Sequence, residues 1–73
     1  MNYKKHISID ANIRFGKPII IGTRISVYDV LTWLSKGLSS DDIIMDYPEL
    51  NQEKINACIA FAANRERNIR VVA

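Results

Sequence analysis

The sequence predicts a mainly α domain: a three-helix, helix-turn-helix-like bundle preceded by short N-terminal β-strands. The same helix-start signal occurs three times, apolar residues follow at helical spacing, and short β-branched runs bounded by turn residues come before them. The 73 residues fit one domain, 1–73, with short strands in 7–25, the three-helix bundle in 26–66 and a tail in 67–73.

Each predicted helix starts with a capping residue that lies between two apolar residues. The cap accepts a hydrogen bond from a backbone N–H of the first turn, and the apolar pair packs across the start as a hydrophobic staple. Asp29 and Asp42 complete the first two starts as capping boxes, while Lys54 takes that place in the third. The caps with their staple pairs are Ser26 with Ile25 and Val30, Ser39 with Leu38 and Ile43, and Asn51 with Leu50 and Ile55.

Helix ends and core faces follow from breakers and spacing. Gly37 stops the first helix and Pro48 the second, while the third meets no breaker before the arginine-rich tail. These signals place the helices near 27–36, 40–46 and 52–66.

Apolar residues at i, i+3, i+4 and i+7 predict the core faces. They are Val27, Val30, Leu31 and Leu34 in the first helix, Ile43 and Ile44 in the second, and Ile55, Cys58, Ile59 and Ala62 in the third.

Ahead of the helices, the runs "ISI", "IRF" and "PIII" are predicted to be extended, with a turn around Gly16. A strand of three residues needs a neighbour, because even a two-stranded hairpin is marginal in water. "PIII" therefore pairs either with the strand near 7–9 or with the same segment of a second chain. The second alternative would make the protein a homodimer. We expect a homodimer, because the core of a 73-residue chain usually needs support from a disulfide, a metal or a partner chain, and the sequence favours neither of the first two.

The residue types that carry catalysis are scattered along the chain. Cys58 is the only cysteine and His6 the only histidine, which predicts neither a disulfide nor a zinc site. We expect Cys58 to be an inert core thiol and His6 a solvated side chain, while Asp41 and Asp42 complement a helix dipole. The sequence thus predicts no enzyme activity, catalytic residue, metal or other cofactor.

Charge and hydropathy limit the partners. No apolar run is long enough for a signal peptide or a membrane span, which predicts a cytoplasmic protein without membrane contact. Residues 41–64 carry five carboxylates and one cation, and they include the turn and helix start that read DNA in helix-turn-helix proteins. Major-groove reading is therefore disfavoured. The candidate DNA contacts are the N-terminal cations Lys4, Lys5, Arg14 and Lys17.

The third predicted helix has a second face of small and apolar residues, and a helix apolar on two sides is usually covered on both. Either this face meets another protein, or Phe61 packs into the core of its own chain and the alanines serve only as good helix formers. Trp33 likewise faces either a partner or the core of its own chain. The C-terminal tail is either frayed or becomes ordered on a partner. The candidate partner-binding residues are Ala57, Ala60, Phe61, Asn64, Arg65, Arg67, Ile69, Arg70 and Val71.

The run "GKPIIIGTRISVYDVLTWLSKGLSSDDIIMDYPELNQEKINACIAFAA" resembles the signature of the family named domain of unknown function 433. The resemblance covers roughly residues 7–63. Family members usually have proline where this chain has Ala11 and more often alanine at Cys58, and neither departure touches the core of the pattern. The matching motif residues are Gly16, Lys17, Pro18, Gly22, Thr23, Arg24, Ile25, Tyr47, Pro48 and Leu50.

The resemblance implies a homeodomain-like three-helix fold with no catalytic residue to transfer. It also implies the antitoxin of a bacterial type II toxin–antitoxin pair, whose partner is a PIN-like ribonuclease that holds divalent metal ions with clustered carboxylates. Guanidinium groups pair bidentately with carboxylates, so Arg65, Arg67 and Arg70 would compete there with metal or with RNA. The alternative is an autoregulator that binds the operator DNA of its own operon.

Overall fold

The computed structural model describes residues 2–66 in full and the helical backbone of residues 67 and 68. It confirms the predicted class, with three helices behind a short antiparallel sheet. The third helix continues two residues past its predicted end, and the first ends one residue earlier. The elements are β1 (Ile7–Ile9), β2 (Pro18–Ile20), α1 (Val27–Ser35), α2 (Ser40–Asp46) and α3 (Gln52–Asn68), with 3-10 turns at Tyr3–Lys5 and Arg14–Gly16.

Both predicted capping boxes form. At the start of α1, the Asp29 N–H donates to Ser26 Oγ at 2.9 Å, and the Ser26 N–H donates to Asp29 Oδ2 at 3.1 Å. At the start of α2, Ser39 and Asp42 make the same pair of bonds at 3.1 and 3.0 Å. Each box satisfies backbone N–H groups that a first helical turn leaves without an intrahelical partner.

The third cap and the staples also follow the sequence, with one difference. Asn51 Oδ1 accepts the N–H of Lys54 at 2.8 Å at the start of α3. Of the six predicted staple residues, Leu38 is exposed. The other five are buried, and they are Ile25, Val30, Ile43, Leu50 and Ile55.

The two strands pair within the chain, which is one of the two alternatives that the sequence left open. Ile7 lies opposite Ile20 in the antiparallel register. On its other side, the Ile20 N–H donates to the carbonyl of Ile25 at 2.9 Å, just before α1. Since β2 has backbone partners on both sides, the same segment of a second chain has no free edge of β2 to pair with.

The connection between β1 and β2 ends in a left-handed turn, so the prediction of an extended "IRF" segment is wrong. The φ angles of Arg14 and Phe15 are 51° and 58°, and that of Gly16 is 78°. For residues with a Cβ this conformation costs roughly 1–2 kcal/mol each. The Arg14 guanidinium holds the turn by donating to the Arg24 carbonyl at 2.9 Å and to Asp29 Oδ2 at 3.2 Å. The Phe15 side chain remains 99% exposed.

The core receives side chains from the hairpin and all three helices, and two predictions for α3 are wrong. Ile59, predicted to be in the core, is 46% exposed, whereas Ala57, predicted to face a partner, is fully buried. The packed side of α3 is rotated toward Ala57 because the turn Tyr3–Lys5 packs on the helix at Phe61 and Asn64, which lie on the same face as Ala57. Ile19 of β2 is buried beside the main cluster. The residues of that cluster are Ile7, Ile20, Ile25, Val27, Val30, Ile43, Leu50, Ile55, Ala57 and Cys58.

Aromatic contacts settle two alternatives in favour of intramolecular packing. Phe61 meets Tyr3 edge to face, with ring centroids 5.4 Å apart, and Asn64 Nδ2 donates to the Tyr3 hydroxyl at 2.9 Å. Trp33 stacks on Tyr47 with centroids 4.4 Å apart. Phe61 and Trp33 both pack against the core of their own chain.

We predict that Asp29→Ala destabilises the fold more than Asp42→Ala. Both variants remove the acid of a capping box, but only Asp29 also pairs with Arg14 and holds the left-handed turn. Urea denaturation should show that Asp29→Ala lowers the free energy of unfolding by about 1–2 kcal/mol. Equal losses in the two variants would mean that the Arg14 ion pair adds nothing to stability.

We also predict that Phe15→Gly does not weaken the fold. Glycine adopts a φ of 58° without steric cost, and the exposed ring has no packing to lose. The relief of strain is opposed by the freedom of glycine in the unfolded chain, so the free energy of unfolding should stay within about 1 kcal/mol of the parent. Denaturation at low protein concentration tests this, and a clearly larger loss would show that the ring packs on its own chain.

Candidate functional site

The residues considered for catalysis have structural roles. Cys58 is buried in the core, and burial raises the pKa of its thiol to about 11. Since the thiolate is the nucleophile, this thiol is unreactive near neutral pH. His6 Nε2 lies 3.3 Å from Glu53 Oε1 at the start of α3. Within the described part of the chain, no three His, Cys, Asp or Glu side chains lie close enough together to hold a metal ion.

Asp42 is explained by helix capping. The backbone N–H of Ser39 donates to its carboxylate, and this bond, together with that to the Ser39 side chain, lowers the pKa of Asp42. The carboxylate therefore stays ionised at the N-terminus of α2, where a negative charge complements the helix dipole. None of the helices that the structure describes is both long and apolar enough to cross a membrane.

The four candidate DNA contacts lie on different segments. Lys4 and Lys5 are exposed in the first turn of the chain, which packs on α3. Arg14 is bound to Asp29, and Lys17 lies with its Nζ 5.8 Å from the centroid of a tyrosine ring. A DNA contact by these residues stays a prediction, with the guanidinium of Arg14 already bonded within the chain.

The structure contains an apolar groove with a volume of about 410 Å³. It lies where the start of β2 and the first turns of α1 meet the C-terminal part of α3. The groove is the surface formed by Lys17, Pro18, Val27, Tyr28, Leu31, Phe61, Ala62, Arg65 and Glu66.

Aromatic rings hold cations at the rim of the groove. The Lys17 ammonium lies over Tyr28, and the Arg65 guanidinium lies 5.5 Å from the centroid of Phe61. Contacts of this kind orient a cation while leaving its hydrogen-bond donors open. The groove therefore combines apolar walls with charged groups at its edge, and none of the described residues that line it is a serine, cysteine or histidine.

The candidate partner-binding residues lie at the surface, in the core or outside the described residues. Phe61 and Arg65 line the groove, Asn64 is bonded to Tyr3, and Ala60 is half-buried on α3. Ala57 is in the core and cannot touch a partner. The side chain of Arg67 and the residues Ile69, Arg70 and Val71 lie outside the described residues.

Sequence reasoning missed the other half of the groove and the exposure of Phe15. Tyr28 lies off the predicted core face of α1, and an aromatic residue at that position indicates a second apolar surface on the helix. In the structure Tyr28 is 68% exposed. Lys17 and Pro18 belong to a motif that reads as a turn, so nothing local links them to α3. No sequence pattern predicts the exposure of Phe15, because that exposure follows from the left-handed turn.

Comparisons with known proteins give a family and a fold. A sequence model described as "Protein of unknown function (DUF433)" matches residues 7–62. The crystal structure of a DUF433 member protein from Anabaena variabilis ATCC 29413 superposes with a TM-score of 0.80 at 23% sequence identity, covering 90% of this chain and 69% of that chain. At this identity the likeness concerns the fold alone. No curated protein matches the chain.

We predict that Cys58 does not react with a disulfide reagent such as Ellman's in the folded protein at mildly alkaline pH, and reacts fully in urea. Its pKa rises from 9.0 to about 11 on folding, so the neutral thiol favours the folded state. That contribution is present below pH 9.0 and is lost as the pH rises through 11. Cys58→Ala should lack this alkaline loss of stability, and rapid labelling of the folded protein would contradict the buried thiol.

Proposed function

This chain belongs to the DUF433 family, and from its surfaces we propose that it is an antitoxin that neutralises a PIN-like ribonuclease by binding it directly. The observation that carries the proposal is the position of Arg65 near the end of α3. Its guanidinium lies over the Phe61 ring and, among the described residues, forms no ion pair with a carboxylate. It is an exposed cation, held in place and open to an acidic partner.

The chemistry of the proposed contact follows from the guanidinium group. A nuclease that holds divalent metal ions uses clustered carboxylates, and a guanidinium binds a carboxylate through two parallel hydrogen bonds. Arg65 would take the place of the metal ion or of the RNA backbone in that cluster. Lysine carries the same charge but lacks the planar pair of donors, so it fits such a cluster less well.

Phe61 has a supporting role in this proposal. Its ring packs edge to face with Tyr3 and lies under Arg65, which limits the orientations of the guanidinium. Less side-chain freedom is then lost on binding. α3 continues to residue 68, so Arg67 belongs to the same helix, and Arg70 follows it in the sequence. We extend the proposal to those two arginines as further contacts.

The test is co-purification of the tagged chain with the product of the adjacent gene, followed by a ribonuclease assay of that product at increasing concentrations of this chain. We expect a stable complex and suppressed nuclease activity. Arg65→Gln should raise the concentration needed for half-inhibition about 10–100-fold, because a charge-assisted pair is lost. Arg65→Lys should lie between Arg65→Gln and the parent.

Arg24→Gln is the matched control. It removes the same charge from an exposed arginine whose side chain makes none of the described hydrogen bonds or ion pairs. The control should inhibit like the parent protein. An Arg65→Gln variant that inhibits as well as the parent, or the absence of a complex with the adjacent gene product, would overturn the proposal.

A further inference from the structure

Phe15 is an aromatic side chain that the fold holds in solvent. Its ring is 99% exposed, and its backbone (φ 58°, ψ 35°) lies in the left-handed region that residues with a Cβ rarely adopt. Strained backbone positions of this kind persist where the surroundings hold them, and they cluster at functional sites. The ring contributes nothing to the packing of its own chain, so its use must be sought outside that chain.

The turn that carries Phe15 is fixed at both ends. Arg14 is bonded to the Arg24 carbonyl and to Asp29 at the start of α1. On the other side, the Lys17 N–H donates to the Arg14 carbonyl at 3.2 Å. The backbone that carries the ring is therefore held in place, and a turn that is ordered before binding loses less freedom when it binds.

The groove provides a site of suitable chemistry. Its walls are apolar side chains, and its volume of about 410 Å³ is at the lower end of the range of ligand pockets, enough for one large side chain. Lys17 and Pro18 line it only two and three residues after Phe15. The Phe15 ring is thus a knob that lies close to the groove on the same molecule. It is in solvent and not in the groove of its own chain.

We propose that the occupant of the groove is Phe15 of a second copy of this chain, and that the exchange is reciprocal. When a projection and its receptor lie side by side, a two-fold axis places each projection in the other receptor and closes the assembly at a dimer. The β2 edge is not available for association, since both of its sides are paired within the chain. Phe61 and Arg65, on which the antitoxin proposal depends, also line this groove. The self-association measured below needs no toxin, so its failure and the failure of the antitoxin proposal can be told apart.

Charge supports the same pairing. Asp10, exposed in the connection that carries Phe15, forms no ion pair among the residues described. Lys17 at the rim of the groove is likewise held only by the face of Tyr28. In this two-fold arrangement, Asp10 of one copy would pair with Lys17 of the other. Such rim pairs set the register of an interface more than its strength.

The first experiment measures self-association by sedimentation equilibrium across the micromolar range. Two inserted rings with their rims make a small interface, so we expect a monomer–dimer equilibrium with a dissociation constant of about 1–100 μM. Phe15→Ala should weaken it by about 30-fold or more, as expected for a buried aromatic anchor. Alanine is also strained at this φ, so the variant removes the ring and leaves the backbone cost in place.

Met45→Ala is the matched control, because Met45 is a large apolar side chain on α2 that is 80% exposed and does not line the groove. It should dimerise like the parent protein. An effect of Met45→Ala equal to that of Phe15→Ala would indicate general stickiness of exposed apolar groups and would overturn the proposal.

The second experiment tests the reciprocal geometry by mixing two variants. Ala62→Arg fills the groove with a long charged side chain, and Tyr28→Glu serves if the first variant loses its helical circular dichroism. Phe15→Ala and the groove variant should each be monomeric alone. Mixed, they should form a heterodimer through one intact contact, the knob of the groove variant in the groove of Phe15→Ala.

Three results would overturn the proposal. The parent protein remains monomeric at every concentration, which would leave the groove to another protein. The dimer forms but persists in Phe15→Ala or in the groove variant. Or each variant is monomeric and the mixture recovers no dimer, which would show that Phe15 and the groove do not meet.

Discussion

The carboxylate of Asp29 is the point on which the N-terminal half of the structure depends. It accepts the N–H of Ser26 and so fixes where α1 begins, and it accepts the guanidinium of Arg14 and so fixes the connection between the strands. One side chain thereby joins a helix start to a hairpin that is too short to be stable alone. The hairpin in turn supplies Ile7 and Ile20 to the core. Both donors approach the same oxygen of this carboxylate, Oδ2.

The parts of the fold that the sequence predicts well are those that local chemistry decides. Ser26, Ser39 and Asn51 cap their helices because a hydroxyl or amide needs only the next turn of its own chain as a partner. The left-handed turn could not be predicted, because Arg14 finds Asp29 fifteen residues away and that contact overrides the preference of the backbone. The burial of Ala57 in place of Ile59 has a similar cause. Spacing predicts that a helix has an apolar face, but the segments that pack on it decide the centre of that face.

The candidate site was harder to predict than the fold. The groove is formed by segments around residues 17, 28 and 62, and no pattern within any one of them announces the others. The charged residues of the sequence give a partial indication, since Arg65 is one of the predicted partner-binding residues and lies at the rim of the groove, while its binding of a partner stays a prediction. Membership of the family supplies the architecture, while any account of function rests on how this chain presents its own arginine, tyrosine and phenylalanine side chains.

The contact between the first turn of the chain and the end of α3 has a kinetic consequence. Tyr3 and Asn64 are 61 residues apart in sequence, and their bond closes nearly the whole chain into a loop. Closing so long a loop is entropically unfavourable until the intervening helices have packed, so this clasp is expected to form late in folding and to open early. The end of α3 that carries Arg65 is therefore the part of the helix whose order depends most on the N-terminal turn. Partial unfolding of residues 3–5 would loosen this end of α3 first and leave the capped helix starts intact.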